Sequence, residues 1–225
     1  MQMCRPHPLC DMSTEISIFF LRHGRSSGDD EGVHEGRYDA ELTKIGRAQA
    51  ITRATAWQAA GIRFDRILAS TLRRAHDTAQ IMAQAFQAPL DTDPDWMEVD
   101  NGVLAGLPFE VADQQYPWPA FRNPYELFFD SGESDWELHC RAIRAVQKII
   151  RRGAGQYLVV AHGGILNAAL RHIVGAPPPI NGPIHGHGVY FALGDTGYAQ
   201  AVYYPEKHQW LLGELRPEYQ TYVGK

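Results

Sequence analysis

Reactive side chains gather at four junctions of this chain, each at the end of an apolar or extended run. Residues 16–21, Ile-Ser-Ile-Phe-Phe-Leu, lead into Arg22, His23 and Gly24. The short stretch 66–70 ends at Ser70, and Arg73 and Arg74 follow within a helical turn. The extended segment 89–98 ends at Glu98, and the run 156–162 ends at His162, followed by Gly163. Guanidinium forks match phosphate oxygens in bidentate geometry. A neutral imidazole can attack phosphorus and hold it as phosphohistidine, a second imidazole can donate to the phosphoryl oxygens, and a carboxylic acid can protonate the leaving oxygen. Arginines and imidazoles together can stabilise the developing charge, so this set calls for no metal.

Such chemistry needs a frame that brings distant residues to one rim. The runs at 16–21, 66–70 and 156–162 read as buried strands: short, apolar and rich in β-branched or aromatic residues. Residues 22–42 read as a glycine-rich loop. Thr43 is the expected N-cap of a helix over about 44–60 closed by Gly61, and 71–86 reads as a helix stopping short of Pro89. Ser134 and Glu137 have capping-box spacing, and Leu138, Ala142, Val146, Ile149 and Ile150 share one helical face beyond them. A helix over about 165–174, a stiff Pro-rich turn at 176–179 and three final strands, beginning with GVYFALG at 188–194, complete the pattern. Alternating strands and helices predict an α/β three-layer sandwich: a mostly parallel central sheet with helices on both faces. Sites in open sheets of this kind lie beyond the carboxyl ends of the strands, where the reactive residues fall.

The chain of 225 residues fits one domain, expected over 15–225 after an untethered tail at 1–14. Residues 100–132, rich in proline, glycine and aromatics, read as an insertion or lid. Exposed aromatics at 116–129 fit a lid or a contact with a second copy of the chain. The net charge of −5 disfavours a general nucleic-acid binder. Three cysteines, Cys4, Cys10 and Cys140, form no CxxC pair, which argues for a reducing compartment and a cytoplasmic location. No apolar run reaches membrane-span length, and the first residues resemble no secretory leader; Met12 is a conceivable start.

The motifs LRHG at 21–24, LT-x-x-G-x-x-QA at 42–50, S-x-L-x-RA-x-x-TA at 70–79, E-x-x-x-G-x-x-x-G at 98–106, GES at 132–134 and VVAHGG at 159–164 occur in one order. Together they resemble the histidine phosphatase superfamily, also called the phosphoglycerate-mutase-like family, over about residues 16–215. The resemblance implies that His23 is the phosphorylated nucleophile, that Arg22 and Arg74 hold the phosphoryl oxygens, and that His162 is the second histidine with Gly163 beside it. It implies that Glu98 protonates the leaving group and then activates water. Ser26, Asp29 and Arg37 join the expected substrate-binding set.

Two departures from the family pattern stand out. Arg25 follows Gly24 where Glu or Gln is common, and Asp29 stands where an Asn often touches phosphate. A carboxylate facing a phosphate dianion is unfavourable unless a cation offsets it; Arg25 folded back is the expected cation, and an outward-turned Asp29 is the alternative. Arg73 reads as a solvated helix residue, and His34 with Glu35 as flanking the substrate entrance. His185 and His187 could share a strand face, but no third ligand stands at metal-site spacing; no cofactor is implied.

The expectation is therefore a cytoplasmic, metal-independent phosphatase for a small phosphorylated substrate. A phosphoglycerate-type mutase is the first rival; residues 99–131, which hold Arg122 and no lysine, favour the phosphatase over it. A non-catalytic phosphate-ester-binding protein is the second rival.

Overall fold

The run Ile16–Leu21 has no polar alternation because both of its faces are covered. In a computed structural model, which describes residues 14–119, 123–178 and 191–217, it forms the central strand β1 (Ile16–Arg22). Ile18 and Phe20 point into one apolar core, Phe19 and Leu21 into another on the opposite face. Each such side chain contributes about 2 kcal/mol by leaving water.

The elements follow in the order α1 (Ser27–Glu31), α2 (Lys44–Ala59), β2 (Arg66–Ala69), α3 (Arg73–Phe86), β3 (Leu90–Thr92), α4 (Phe109–Gln115), α5 (Asp135–Ile150), β4 (Gly155–Ala161), α6 (Gly163–Ile173), β5 (Tyr198–Tyr204) and β6 (Gln209–Arg216), with short 3-10 turns between some of them. The six strands are ordered β3-β2-β4-β1-β5-β6. The pairs β1–β4, β2–β4 and β2–β3 are parallel, and β1–β5 and β5–β6 are antiparallel. Helices α5 and α6 cover one face and α2 and α3 the other, giving the expected three layers.

Register does the positioning. Arg22 pairs with Ala161 and Ala69 with Val160, so β1, β2 and β4 end at one level. The His23 N–H donates to the Ala161 carbonyl at 3.0 Å and the Ser70 N–H to the Val160 carbonyl at 3.0 Å. His23, Ser70 and His162 thus emerge side by side.

Local signals explain the helix starts. Thr43 Oγ1 accepts the Gly46 N–H, and Ser134 and Glu137 form the reciprocal capping box. Within the glycine-rich stretch 22–42 the structure forms a helix that the loop reading omits: α1 is capped at its start by Ser26, which makes a capping box with Asp29, and at its end by Gly32 in the left-handed region. Of the three expected final strands, two are β5 and β6; of the first, only 191–194 are described, and these carry no strand. Asn167 holds the Phe191 backbone there through both its N–H and its carbonyl.

The insertion at 100–132 packs as a cover of short helical turns and α4. Its Trp118 and Phe128 rings meet edge to face, with Phe128 only 1% exposed. Residues 1–13 of the expected tail, Arg122, the 185–188 histidines and the first residues of 188–194 lie outside the described residues. Among the described residues no helix is long and apolar enough to cross a membrane.

Candidate active site

His23 is 1% exposed at the end of β1. Its Nδ1 lies 2.7 Å from the Gly24 carbonyl oxygen. A carbonyl only accepts, so Nδ1 carries the proton and Nε2 keeps its lone pair. Arg74 Nε donates to that Nε2 at 3.2 Å, which agrees with a neutral ring. Burial holds the His23 pKa well below the usual range, and the charges of Arg74 and Arg22 push the same way.

Arg74 is completely buried. Its Nη1 donates to the Tyr38 carbonyl at 2.8 Å and its Nη2 to the Gly36 carbonyl at 3.0 Å. Three of its five N–H groups are thus engaged in fixing the fork, and two remain for an incoming anion. Arg22 reaches the Leu193 carbonyl at 3.1 Å through Nη1.

His162 is fully buried as the N-cap of α6, with its ring centroid 5.0 Å from that of His23. Its Nε2 lies 2.8 Å from Ser70 Oγ, while Nδ1 has no hydrogen-bond partner among the described residues. Burial, then Arg74 and His23, lower its pKa well below the usual range.

Glu98 sits against the start of α6. Its carboxylate accepts the Gly164 N–H at 2.9 Å and the Ile165 N–H at 3.0 Å, two of the orphan donors of a helix N-terminus. A Cβ on Gly164 would stand 2.5 Å from Glu98 Oε1, so only glycine lets the carboxylate approach. A similar need explains the glycine of the Arg-His-Gly motif: a Cβ on Gly24 would lie 2.4 Å from the Gly46 carbonyl oxygen of α2.

The loop bearing Glu98 is held by a residue that sequence reading missed. Arg141, on α5 and 7% exposed, donates to the carbonyls of Asp95 (3.0 Å), Met97 (2.6 Å) and Glu98 (3.1 Å). It also forms a two-point contact with Glu133, 3.1 Å through Nε and shorter through Nη2. Glu133 in turn accepts the Asp100 N–H at 2.9 Å.

Other expected residues fall differently. Asp29 stays in the pocket, with Oδ1 3.6 Å from Arg22 Nη2, so Arg22 offsets it. Arg25 does not fold back to it; its Nε pairs with Asp30 at 2.6 Å. Arg37 pairs with Asp100 at 3.1 Å and lies 4.0 Å from Glu133, away from the histidine pair. Arg73 faces outward and pairs with Glu41. Gly163 is the first residue of α6, beside Glu98. Ser26 is fully buried as the cap of α1. Glu35, expected only at the entrance, reaches inside: its Oε2 lies 3.4 Å from Arg74 Nε and 4.0 Å from His23 Nε2.

Beside the buried His23, Arg74 and His162, the other groups open on a cavity of about 400 Å³. Arg22, Asp29, Glu35, Glu98 and Gly164 line one part; Val33, Val99, Leu104, Phe109, Trp118 and Phe128 line the rest, with His34 and Asn101. The arrangement combines an unprotonated imidazole nitrogen, anion-binding guanidinium groups and a carboxyl near one open space, which suits transfer of a phosphoryl group.

Comparison with known proteins agrees with this chemistry. The chain belongs to the histidine phosphatase superfamily (branch 1), whose pattern matches residues 18–189. It is 32% identical over 169 residues to a 2,3-bisphosphoglycerate-dependent phosphoglycerate mutase of Bartonella quintana, covering 71% of this chain and 82% of that one. It is 27% identical over 165 residues to the uncharacterized phosphatase PhoE of Bacillus subtilis, covering 73% and 80%. Its fold is that of a mycobacterial glucosyl-3-phosphoglycerate phosphatase, with a TM-score of 0.73 at 22% identity over 90% of this chain and 99% of that one. Phosphatases and mutases thus both stand among its relatives.

Proposed function

We propose that the protein is a metal-independent phosphatase that hydrolyses small phosphomonoesters through a phosphohistidine on His23. The observation that carries this reading is the His23 tautomer. With its proton committed to the Gly24 carbonyl, the ring presents an Nε2 lone pair next to a buried arginine. Nε2 attacks phosphorus while the bond to the leaving oxygen breaks, and a protonated Glu98 supplies that oxygen with a proton. Glu98 then takes a proton from water. The water oxygen bonds to phosphorus and Nε2 departs, regenerating the lone pair. Arg22, Arg74 and the open Nδ1 of His162 hold the phosphoryl oxygens through both steps.

Hydrolysis, as opposed to return of the group to a second acceptor, is supported by the cavity wall. Val33, Val99, Leu104, Phe109, Trp118 and Phe128 suit an apolar leaving group better than a second anion. Asn101 Oδ1, buried and without a hydrogen-bond partner among the described residues, offers an acceptor to a leaving-group hydroxyl or amine. Transfer back to substrate, as in the mutase relatives, is the second reading.

The test is phosphate release from para-nitrophenyl phosphate in EDTA by the intact protein and by His23→Ala. Release by the intact protein and none by the variant is expected. Release that stops in EDTA, or that survives in the variant, refutes the mechanism. Release from neither protein refutes the hydrolase reading and leaves the mutase or a binding protein.

A further inference from the structure

Ser70 sits where the strand ends meet, is fully buried, and has no part in the steps above. Its Oγ lies 2.8 Å from His162 Nε2 and accepts the Leu72 N–H at 3.2 Å, a contact that turns the chain toward α3. That turn uses a lone pair of Oγ and leaves the hydroxyl proton to be placed. Among the described residues, His162 Nε2 is the acceptor that this proton can reach.

Two arrangements of a neutral His162 fit these distances. In the first, Nε2 carries the ring proton and donates it to Oγ. The hydroxyl proton then has no acceptor, and Nδ1, buried and without a partner among the described residues, holds a lone pair with no donor. In the second, the hydroxyl donates to the Nε2 lone pair and the ring proton stands on Nδ1. Only that Nδ1–H is then open. Buried polar groups without partners are costly, so the second arrangement prevails. An imidazolium would strand the hydroxyl proton as the first does, and would add a buried charge to that of Arg74. The low pKa that burial and Arg74 give the ring agrees.

We infer that Ser70 is a positioning residue: it donates its hydroxyl proton to His162 Nε2 and so holds the ring with an N–H at Nδ1, ready for a phosphoryl oxygen. The two histidines then carry the same tautomer, tied at opposite ends. His23 gives its Nδ1–H to the Gly24 carbonyl at 2.7 Å and keeps a lone pair open at Nε2. His162 ties its Nε2 lone pair to Ser70 and keeps an N–H open. With the ring centroids 5.0 Å apart, one imidazole offers a nucleophile and the other a donor. The reverse tautomer of His162 would leave a second lone pair open beside the anion. Strand register supplies the pairing: the Ser70 N–H donates to the carbonyl of Val160, which β4 carries just ahead of His162.

This inference rests on the phosphoryl-transfer reading only in giving the anion its place, so the tautomer is read without turnover. The protein, isotopically labelled at its histidine ring nitrogens, is measured by long-range nitrogen–proton correlation at neutral pH, and the His162 ring is assigned by its loss in His162→Gln. A proton on Nδ1 and a lone pair on Nε2 are expected, with Nδ1 moving on titration with inorganic phosphate. In Ser70→Ala the fixed tautomer is expected to give way to exchange between the two, and phosphate to bind about tenfold more weakly. Ser70→Cys, a weaker donor of similar size, stands in if Ser70→Ala does not fold. Ser70→Thr, which keeps the hydroxyl, is expected to restore both the Nδ1–H form and the affinity. A proton on Nε2 in the intact protein, alone or together with one on Nδ1, overturns the proposal whether or not any variant folds. Unchanged tautomer and affinity in the variant without the hydroxyl also overturn it. An Nδ1–H that depends on Ser70, in a protein that releases no phosphate from para-nitrophenyl phosphate, upholds Ser70 and refutes the hydrolase reading alone.

Discussion

Replacing Arg141 with methionine tests how the Glu98 loop is held. The substitution keeps length and apolar bulk but removes every donor. It frees the carbonyls of Asp95, Met97 and Glu98 and leaves Glu133, with a side chain 12% exposed, without its two-point partner. Breaking a buried ion pair from one side costs about 3–5 kcal/mol. Glu133 keeps the Asp100 N–H and has Arg37 at 4.0 Å, so the low end, about 3 kcal/mol, applies. For a chain of this size that lowers Tm by roughly 6–12 °C. Glu133→Gln added to Arg141→Met should restore about 1 kcal/mol, because the orphaned charge is gone.

The same change loosens the proton donor. Misplacement by about 1 Å can cost about a hundredfold in rate. The loss in kcat should be larger for an alkyl phosphate, whose alkoxide needs a proton, than for para-nitrophenyl phosphate. Thermal unfolding and steady-state kinetics on both substrates read these effects. A Tm within about 2 °C of the parent would refute the latch on energetic grounds. Equal kcat losses on the two substrates would show that Arg141 does not act through Glu98.

Three further outcomes are expected. Asp29→Asn removes the carboxylate 3.6 Å from Arg22, so KM for a phosphomonoester should fall roughly fivefold, or about 1 kcal/mol; an unchanged or higher KM would mean that Asp29 does not oppose the anion. Gly24→Ala drives a Cβ to 2.4 Å from the Gly46 carbonyl oxygen, so it should cost at least about 2 kcal/mol by denaturant unfolding and reduce activity; a stable, active variant would show that β1 and α2 can separate freely. Asp95, bonded by Arg144 and Lys148, has its pKa lowered to about 2, so its contribution is fully present above the unfolded value near 3.8 and is lost as pH falls through about 2. The cations are 57% and 43% exposed, so screening limits that contribution to about 1 kcal/mol. Asp95→Asn should therefore flatten stability against pH between about 4 and 2, and an unchanged acid limb would assign it to other carboxyls.

The residues most legible in the sequence are those that strands deliver. Arg22, His23 and His162 follow apolar runs, and Ser70 with Arg74 follows a third; strand register then brings them together with no further information needed. The helix α1 was harder because five residues are too few to show a period. Its signal was present in Ser26, Asp29 and Gly32, which cap it at both ends. Arg141 carries no such mark. It lies on the amphipathic helix α5, and three of its partners are backbone carbonyls 43–46 residues away, which no side-chain pattern encodes. Glu35 reads as an entrance residue because polar loops usually face water; its inward turn depends on Ser26 and Arg74, from two different elements. Arg25 and Arg37 show the converse. Each was near enough in sequence to serve the anion site, and each met a closer carboxylate, Asp30 and Asp100.

The central claim is that phosphorus becomes bonded to His23 Nε2. The most direct measurement is to quench turnover of a radiolabelled phosphomonoester, in EDTA, and to locate protein-bound label by peptide mapping. The account predicts acid-labile, alkali-stable label on the peptide containing His23 and none in His23→Ala. Steady hydrolysis by the intact protein with no trapped label, or label that persists in His23→Ala, would contradict it.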